Sequence, residues 1–549
     1  MNLFKKFFPH LLFLLVLYTI TILPIYVQTA KTPKGTYFTK PPHNIPPPDY
    51  YAYILVINQG RHGSWGEINQ FSVEPSTPFT LYTYYLFLGH IAKYIGLSNI
   101  AIFHLANALN LFIFYVACNL LIGLFFKKQR YRWLVLLIIF FASPLPPLNY
   151  PVIGKVIKVN IDIIWTYLDI YCRLFPRPHF LLGEGLTIGA IYFFLRYTKE
   201  TKHYMAVISA ALLGTAFVVF AVPATIFLMS LGIIFTTYLI SLCQYFLNQD
   251  AENLKITIAF IKKTFFGWIF LFAVSGLAEL YIYRQLYTLG EPWTRFITWE
   301  ADTYNPKGYP FTFSVLFFSY GLLPLFSIFS LASFIRKLKI EYFLILLMAI
   351  IPPIMYLLAE NGFLYINKIR FAYTAPYVFL GIMATDGILK MIKLIKKEAL
   401  ISFFIVIFLV NGALGLYFYW YPFVTFNQIY NDRYIPLKYI YAMNYLANNT
   451  PPFSNVLANY NAGNAIPAFT LNKVFIGHEV ATLDFFNKIN MVDSFFIGQM
   501  SVDIVKDMFN KYSIDYVVWA DYSFPEKYKS VLKPIYNYEN LVIYKTVFK

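Results

Sequence analysis

The residues best suited to chemistry open a polar stretch near the N-terminus. Pro46-Pro47-Pro48 runs into Asp49, and Tyr50–Gln59 follows with a helix-like pattern. A triple proline is stiff and extended, so it delivers Asp49 to the start of that helix. An aspartate there can cap the helix by accepting orphan backbone N–H groups. It also suits a general base, because a carboxylate within hydrogen-bond reach takes the proton of a hydroxyl. Glu74 lies in the Pro-bounded turn Val73-Glu74-Pro75 and is the second candidate, with Glu67 a weaker third. The plainer reading of Glu74 is a solvated loop carboxylate or a partner for Arg61. Between these acids, Asn58-Gln59-Gly60-Arg61-His62-Gly63-Ser64-Trp65 offers His62 and Trp65 as substrate contacts.

A second set is basic. Lys155, Lys158, Arg173, Arg177 and His179 gather between two apolar runs, and Lys368 and Arg370 lie in the short turn Glu360–Arg370. Arginine suits phosphate because its planar fork bonds two oxygens at once. Arg370 and Lys368, then Arg173 and Arg177, are the candidate phosphate ligands. The plainer reading is snorkelling to lipid phosphates or loop salt bridges. His179 and Glu184 join the substrate-binding candidates. Glu184 lies just inside an apolar run, and an ionisable residue at such depth faces a bundle interior or a wet cavity. Pairing with Arg173 or Arg177 is its plainer role.

The elements that must hold these residues are membrane spans. Of 549 residues, 58% are hydrophobic, 20% aromatic and 13% charged. A soluble domain carries about 25% charged residues, so a single soluble enzyme is excluded, as is disorder. The formal charge is +17, yet from Pro422 onward there are 11 Lys/Arg and 10 Asp/Glu. The excess therefore lies among the apolar runs, where it marks the cytoplasmic side, and no nucleic-acid partner is expected. The cysteines Cys118, Cys172 and Cys243 form no CxxC pair, which argues against a disulfide framework or a zinc knuckle.

Eleven spans are expected: Pro9–Val27, Asn99–Phe126, Trp133–Tyr150, Phe180–Arg196, Tyr204–Phe220, Ala224–Phe246, Phe265–Tyr283, Phe311–Phe334, Tyr342–Ala359, Phe371–Leu389 and Leu400–Tyr421. The stretch Phe79–Ile95, broken by Gly89-His90 and Lys93, reads instead as an amphipathic helix on the outer interface. With this assignment the inner segments hold 19 Lys/Arg against 5 Asp/Glu, and the outer ones before Pro422 hold 14 against 9. The N-terminus is then cytoplasmic and the C-terminal part extracytoplasmic. The fold expected is an all-α polytopic membrane bundle over 1–421, with the first outer loop at 29–99, followed by an extracytoplasmic α/β domain over 422–549. That domain alternates helix-like segments (Ile435–Ala447, Thr482–Val492, Val502–Tyr512) with strand-like ones (Asn455–Ala458, Lys473–Ile476, Ile514–Ala520, Leu541–Thr546). Gly463-Asn464-Ala465-Ile466-Pro467 and Gly477-His478-Glu479 read as polar turns after strands.

One retained span, a long outer loop with an early Asp, an interfacial helix, and a span opening Asn99…His104…Asn107 follow in order. That order, with the C-terminal outer domain, resembles the GT-C superfamily of integral-membrane glycosyltransferases, of the protein mannosyltransferase and aminoarabinose transferase type. The resemblance covers the chain in architecture and rests on Asp49, the Gly60–Trp65 turn and Glu74. It implies a sugar donor carried on polyprenyl phosphate, a glycan, lipid or protein acceptor, and a site at the plasma (inner) membrane's outer face. Trp65, in an outer loop, then becomes a face for a sugar ring. The chain departs from many members in one respect: they carry two adjacent acids in this loop, whereas Tyr50 and Tyr51 follow Asp49. The family's base or metal-binding carboxylate maps onto Asp49, with Glu74 as the candidate second. No cofactor is certain, and a divalent metal stays open.

Two non-enzymatic readings compete. A lipid or polysaccharide transporter would favour deep intramembrane charges and related halves, but the polar load here sits in outer loops. An anchored assembly protein would need one span, not eleven. No P-loop or GxGxxG fingerprint opens a βα unit, which disfavours an ATP-driven pump.

Overall fold

Pro47 and Pro48 occupy the first two positions of a helix, where their fixed φ fits and their missing N–H groups are orphans anyway. This start recurs at Pro178. The long apolar runs supply the remaining helices. The computed structural model describes residues 2–42, 45–144, 173–174, 177–305, 312–336, 339–373, 376–397, 399–425 and 433–547. In chain order the helices are α1 (Asn2–Ala30), α2 (Pro47–Arg61), α3 (Thr83–Ile95), α4 (Asn99–Phe125), α5 (Gln129–Phe141), α6 (Pro178–Glu200), α7 (His203–Val219), α8 (Ala221–Leu247), α9 (Ala251–Tyr283) and α10 (Arg295–Tyr304). They continue with α11 (Phe313–Ser319), α12 (Leu323–Arg336), α13 (Ile340–Glu360), α14 (Pro376–Ile395), α15 (Leu400–Thr425), α16 (Leu437–Asn449), α17 (Tyr460–Phe469), α18 (Phe485–Phe496) and α19 (Val502–Lys511).

The chain forms two compact units, one of Met1–Thr21, Asn107–Ile282 and Glu300–Thr425, the other of Ile22–Ala106, Tyr283–Trp299 and Phe426–Lys549. The first is a helical membrane bundle. Seven helices among the described residues are long and apolar enough to cross a membrane, and His203–Val219 and Leu323–Ile335 are shorter apolar helices. A helix lies over each of the eleven expected spans, and the Phe311–Phe334 run is split into α11 and α12. The end of the Trp133–Tyr150 run, with Lys155, Lys158 and Cys172, lies outside the described residues. The bundle core is almost wholly aliphatic and aromatic, from Leu17 through Phe114, Phe194 and Trp268 to Phe408. This is an integral membrane protein.

The second unit holds a five-stranded sheet of β3 (Asn455–Leu457), β4 (Lys473–Val474), β5 (Tyr516–Ala520), β6 (Leu532–Tyr538) and β7 (Leu541–Thr546), in the order β4-β3-β5-β7-β6. The pairs β4–β3 and β3–β5 are parallel, whereas β5–β7 and β7–β6 are antiparallel. A short antiparallel ladder joins β1 (Thr36–Phe38) to β2 (Tyr434–Pro436). The unit includes the first polar loop as well as the C-terminal segment, and hydrogen bonds onto backbone carbonyls tie the two. Gln70 O accepts from Val474 N at 2.8 Å, Phe71 O accepts from the Thr482 hydroxyl at 2.8 Å, and Asn58 Nδ2 donates to Thr470 O at 2.9 Å.

Within this unit α2 crosses α3 at two glycines. A Cβ on Gly60 would sit 2.1 Å from Leu86 O, and one on Gly89 would sit 2.1 Å from Ile57 O. Only glycine permits that backbone approach. The residues Gly463–Pro467, expected in a turn, lie instead on α17, whose start is capped by the Asn459 side chain accepting from Ala462 N at 2.9 Å. Gly463 belongs there because a Cβ would meet Ile476 O at 2.0 Å.

Candidate active site

Asp49 is the third residue of α2, and Pro46 holds the capping position without any side-chain cap bond. The aspartate is therefore not the N-cap. A carboxylate in a first helical turn is favoured by the positive end of the helix. Asp49 keeps 31% side-chain exposure, and its Oδ1 lies 3.0 Å from His478 Nε2. His478 comes from the turn after β4. Thr482 N and Ala481 N bond His478 O at 2.8 and 3.0 Å, and the imidazole leans on Phe71 at 5.7 Å. Its Nδ1 is buried without a hydrogen-bond partner among the described residues. A protonated Nδ1 would be a buried orphan donor. Nε2–H is therefore the ring's donor to Asp49.

Glu74 is held differently. Its carboxylate accepts from Lys488 Nζ, at 2.7 Å to Oε1 and 2.8 Å to Oε2, and from the Ser72 hydroxyl. Lys488 is fully buried, and Lys473 Nζ reaches Glu74 O at 3.1 Å. Burial alone would raise the Glu74 carboxyl, but the Lys488 and Ser72 hydrogen bonds and the Lys488 charge hold it below its ordinary value. Burial lowers the Lys488 ammonium, and Glu74 opposes that shift. Glu67 is buried, and burial pushes its carboxyl up to about 8. His62 follows the last turn of α2, with Nδ1 2.9 Å from Asn58 O. Trp65 is 57% exposed and stacks on His90 at 4.0 Å between centroids.

The other candidates belong to the membrane unit. Arg370 grips Glu300 with both arms of its fork, Nε to Oε2 at 2.7 Å and the second arm onto Oε1, and Asn367 Nδ2 joins Oε2 at 3.1 Å. Lys368 is buried 3.7 Å from Glu360 and 5.9 Å from the Tyr356 ring centroid. Burial lowers its ammonium, against the pull of Glu360. Arg173 is buried, donating to Ile139 O at 2.6 Å and Ala142 O at 2.8 Å, with its guanidinium 3.5 Å over Tyr377. Arg177 caps α6 and lies 5.3 Å over Phe180. His179 is buried on the first turn of α6, where the charges of Arg177 and Arg370 both reach its ring. Glu184 is buried one turn further along α6.

The structure thus brings Asp49 together with His478. His478 was read only as part of a polar turn. No spacing rule links two residues 429 apart. Among the described residues no three His, Cys, Asp or Glu side chains meet as a metal site. Asp49 and His478 are the two potential protein donors here, and waters or a substrate phosphate would have to complete any divalent site; no step is routed through a metal.

No protein-family model matches the chain, and no curated protein matches it. Solved structures do. The archaeal oligosaccharyltransferase AglB of Archaeoglobus fulgidus, in complex with an inhibitory peptide and a dolichol-phosphate, has a TM-score of 0.51 at 14% identity, covering 94% of this chain and 70% of that one. An Archaeoglobus fulgidus oligosaccharyltransferase tethered to an acceptor peptide gives 0.52 at 13% identity, with 95% and 70% covered. The mycobacterial arabinofuranosyltransferase AftD gives 0.54 at 11% identity, with 98% of this chain and 40% of that one covered. The chain shares the fold of these structures: a helical membrane bundle with a C-terminal region containing a small sheet.

Proposed function

We propose that the protein is an inverting membrane glycosyltransferase that moves one sugar from a polyprenyl-phosphate donor to an acceptor hydroxyl at the outer face of the membrane. Asp49 takes the acceptor proton. The acceptor oxygen attacks the anomeric carbon from the face opposite the phosphate, and the bond from that carbon to the phosphate oxygen breaks. The electron pair leaves with the polyprenyl phosphate. One carboxylate suffices for this single displacement. The Asp49–His478 hydrogen bond carries the reading: a half-buried carboxylate in a first helical turn, steadied by an imidazole, within a fold shared with membrane glycosyltransferases. His478 acts here as a positioning residue.

Arg177 and Arg370, both acting on His179, are the proposed donor-phosphate ligands, because cations offset the charge of the leaving phosphate. Lys368 and Arg173 support that cluster from buried positions. Glu74 anchors the loop through Lys488. His62, Trp65, His179 and Glu184 remain the proposed substrate contacts. The dolichol-phosphate and acceptor peptide of the oligosaccharyltransferase structures are consistent with a lipid-linked donor and a glycan, lipid or peptide acceptor. The proposed orientation, N-terminus cytoplasmic and second unit extracytoplasmic, is supported by the excess of basic residues in the inner segments.

The test is Asp49→Asn, assayed for sugar transfer from a polyprenyl-phosphate donor. Transfer should fall about 10²–10⁴-fold, the usual worth of a general base. Full transfer by the variant removes the base from the mechanism.

A further inference from the structure

The second unit contains a cavity that the proposed chemistry does not use. It encloses about 420 Å³ between the first turn of α2, β2, α16 and α17. That falls within the ~300–1,000 Å³ of small-molecule sites. Its walls carry the rings of Tyr51, Tyr434, Tyr439 and Tyr460, between which aliphatic side chains of α16 and α17 form the floor.

The polar groups on the walls are few and specific. Asn464 is 3% exposed, and its Nδ2 donates to Tyr460 O at 3.0 Å. Its Oδ1 is buried with no hydrogen-bond partner among the described residues. A buried amide oxygen without a donor is unfavourable, and a ligand hydroxyl would supply that donor. Asp521 also faces the cavity. Its Oδ2 accepts from the Tyr439 hydroxyl at 2.6 Å, and its Oδ1 is paired with Lys438. Asn459 Nδ2 completes the row by bonding the Tyr439 hydroxyl at 3.3 Å.

These walls select a ligand class. Among the described residues no Lys or Arg lines the cavity, which disfavours a phosphate. The single carboxylate is already balanced by Lys438. Neutral amides and hydroxyls beside aromatic faces suit a neutral, hydroxyl-rich ring, whose apolar face lies on tyrosine while its hydroxyls reach the polar edge. We propose that this cavity is a saccharide-binding site. Pro47 and Pro48 form part of its wall and directly precede Asp49. On the glycosyltransferase reading, on which this last step rests, the bound ring belongs to the acceptor.

The test is saturation-transfer difference NMR on the full-length protein in detergent. The probes are the methyl glycosides of glucose, galactose, mannose, N-acetylglucosamine and arabinofuranose. At least one glycoside should receive saturation from the native protein. Asn464→Leu, which removes the amide oxygen at similar volume, should abolish that transfer. Because Asn464 is buried, Asn461→Trp serves as a second variant, since this rim residue is exposed and a large ring there narrows the mouth. Saturation transfer is read without donor or turnover, so its outcome is independent of whether Asp49 acts as the base. The proposal is overturned if no glycoside receives saturation from the native protein, or if binding survives in both cavity variants. It is equally overturned if detergent acyl chains occupy the cavity and no glycoside displaces them.

Discussion

Asp49 Oδ1 and His478 Nε2 stand 3.0 Å apart, joining the first turn of α2 to the turn that follows β4. The histidine keeps no hydrogen-bond partner on Nδ1 among the described residues, so its contribution is one directed N–H. His478→Ala should remove that direction while leaving the carboxylate. Transfer is expected to fall about 10-fold or more in kcat, with a smaller change in KM. His478→Gln offers an amide N–H at similar reach and should recover part of the loss. A merely structural role would give no such rescue, so steady-state kinetics of the pair, with matched thermal unfolding curves, decide the matter.

The Glu74–Lys488 pair makes a different prediction. Lys488 is wholly buried and Glu74 keeps 29% side-chain exposure. Removing Glu74 alone strands a buried ammonium, and Glu74→Ala should destabilise by about 3 kcal/mol. Replacing both, as Glu74→Gln with Lys488→Met, should restore most of that loss. The acid side has a definite sign. A carboxyl held below its ordinary value stabilises above the unfolded-state value near 4.5 and loses that contribution as pH falls through the folded value. Denaturant unfolding of the native protein and the two variants between pH 3 and 7 checks both statements. Transfer activity in the double variant would identify Glu74 as an anchor, and its loss would point to a catalytic carboxylate.

How much of this was legible depends on the physics of each element. Apolar runs announced the membrane helices, because lipid demands long uninterrupted hydrophobic stretches. The central strand β5 was legible for a related reason: buried along its whole length, Tyr516–Ala520 reads as a short apolar run. The edge strand β6 was not, since Leu532–Tyr538 is polar and contains Pro534. The helix α17 was hidden by Gly463 and Pro467, which read as a turn until the close approach of Ile476 O explains the glycine. Asp49 could be picked out from its proline lead, but the group it bonds could not. Pairings such as Asp49–His478 and Glu74–Lys488 are set by tertiary contact alone, and local pattern carries no information about them.

The crossing of α2 and α3 should be intolerant of a single methyl group. In Gly89→Ala the new Cβ would stand 2.1 Å from Ile57 O and 2.5 Å from Arg61 N, both backbone atoms that cannot rotate away. The helices must separate, at a cost of about 3 kcal/mol or more. Because α2 carries Asp49, transfer should fall with stability. Gly276→Ala provides the control, since a Cβ there meets nothing within 4 Å. That variant should unfold at or slightly above the native temperature. Equal unfolding temperatures for the two variants would contradict the packing described.

The last prediction concerns alkaline pH. Glu67 is buried, its Oε2 has no hydrogen-bond partner among the described residues, and burial raises its carboxyl to about 8 from 4.5. An acid raised in this way binds more protons folded than unfolded. Stability is therefore full below about pH 4.5, falls as pH climbs toward 8, and levels off above that. Over the whole range the loss amounts to about 3–5 kcal/mol. Glu67→Gln is neutral at every pH and should flatten the curve. It should unfold at a higher temperature than the native protein at pH 8.5, with the gap closing at pH 5. Thermal unfolding followed by tryptophan fluorescence across that interval tests it. A native curve that is flat from pH 5 to 8.5, or a variant with the same slope, would show that Glu67 has found a partner that holds its charge.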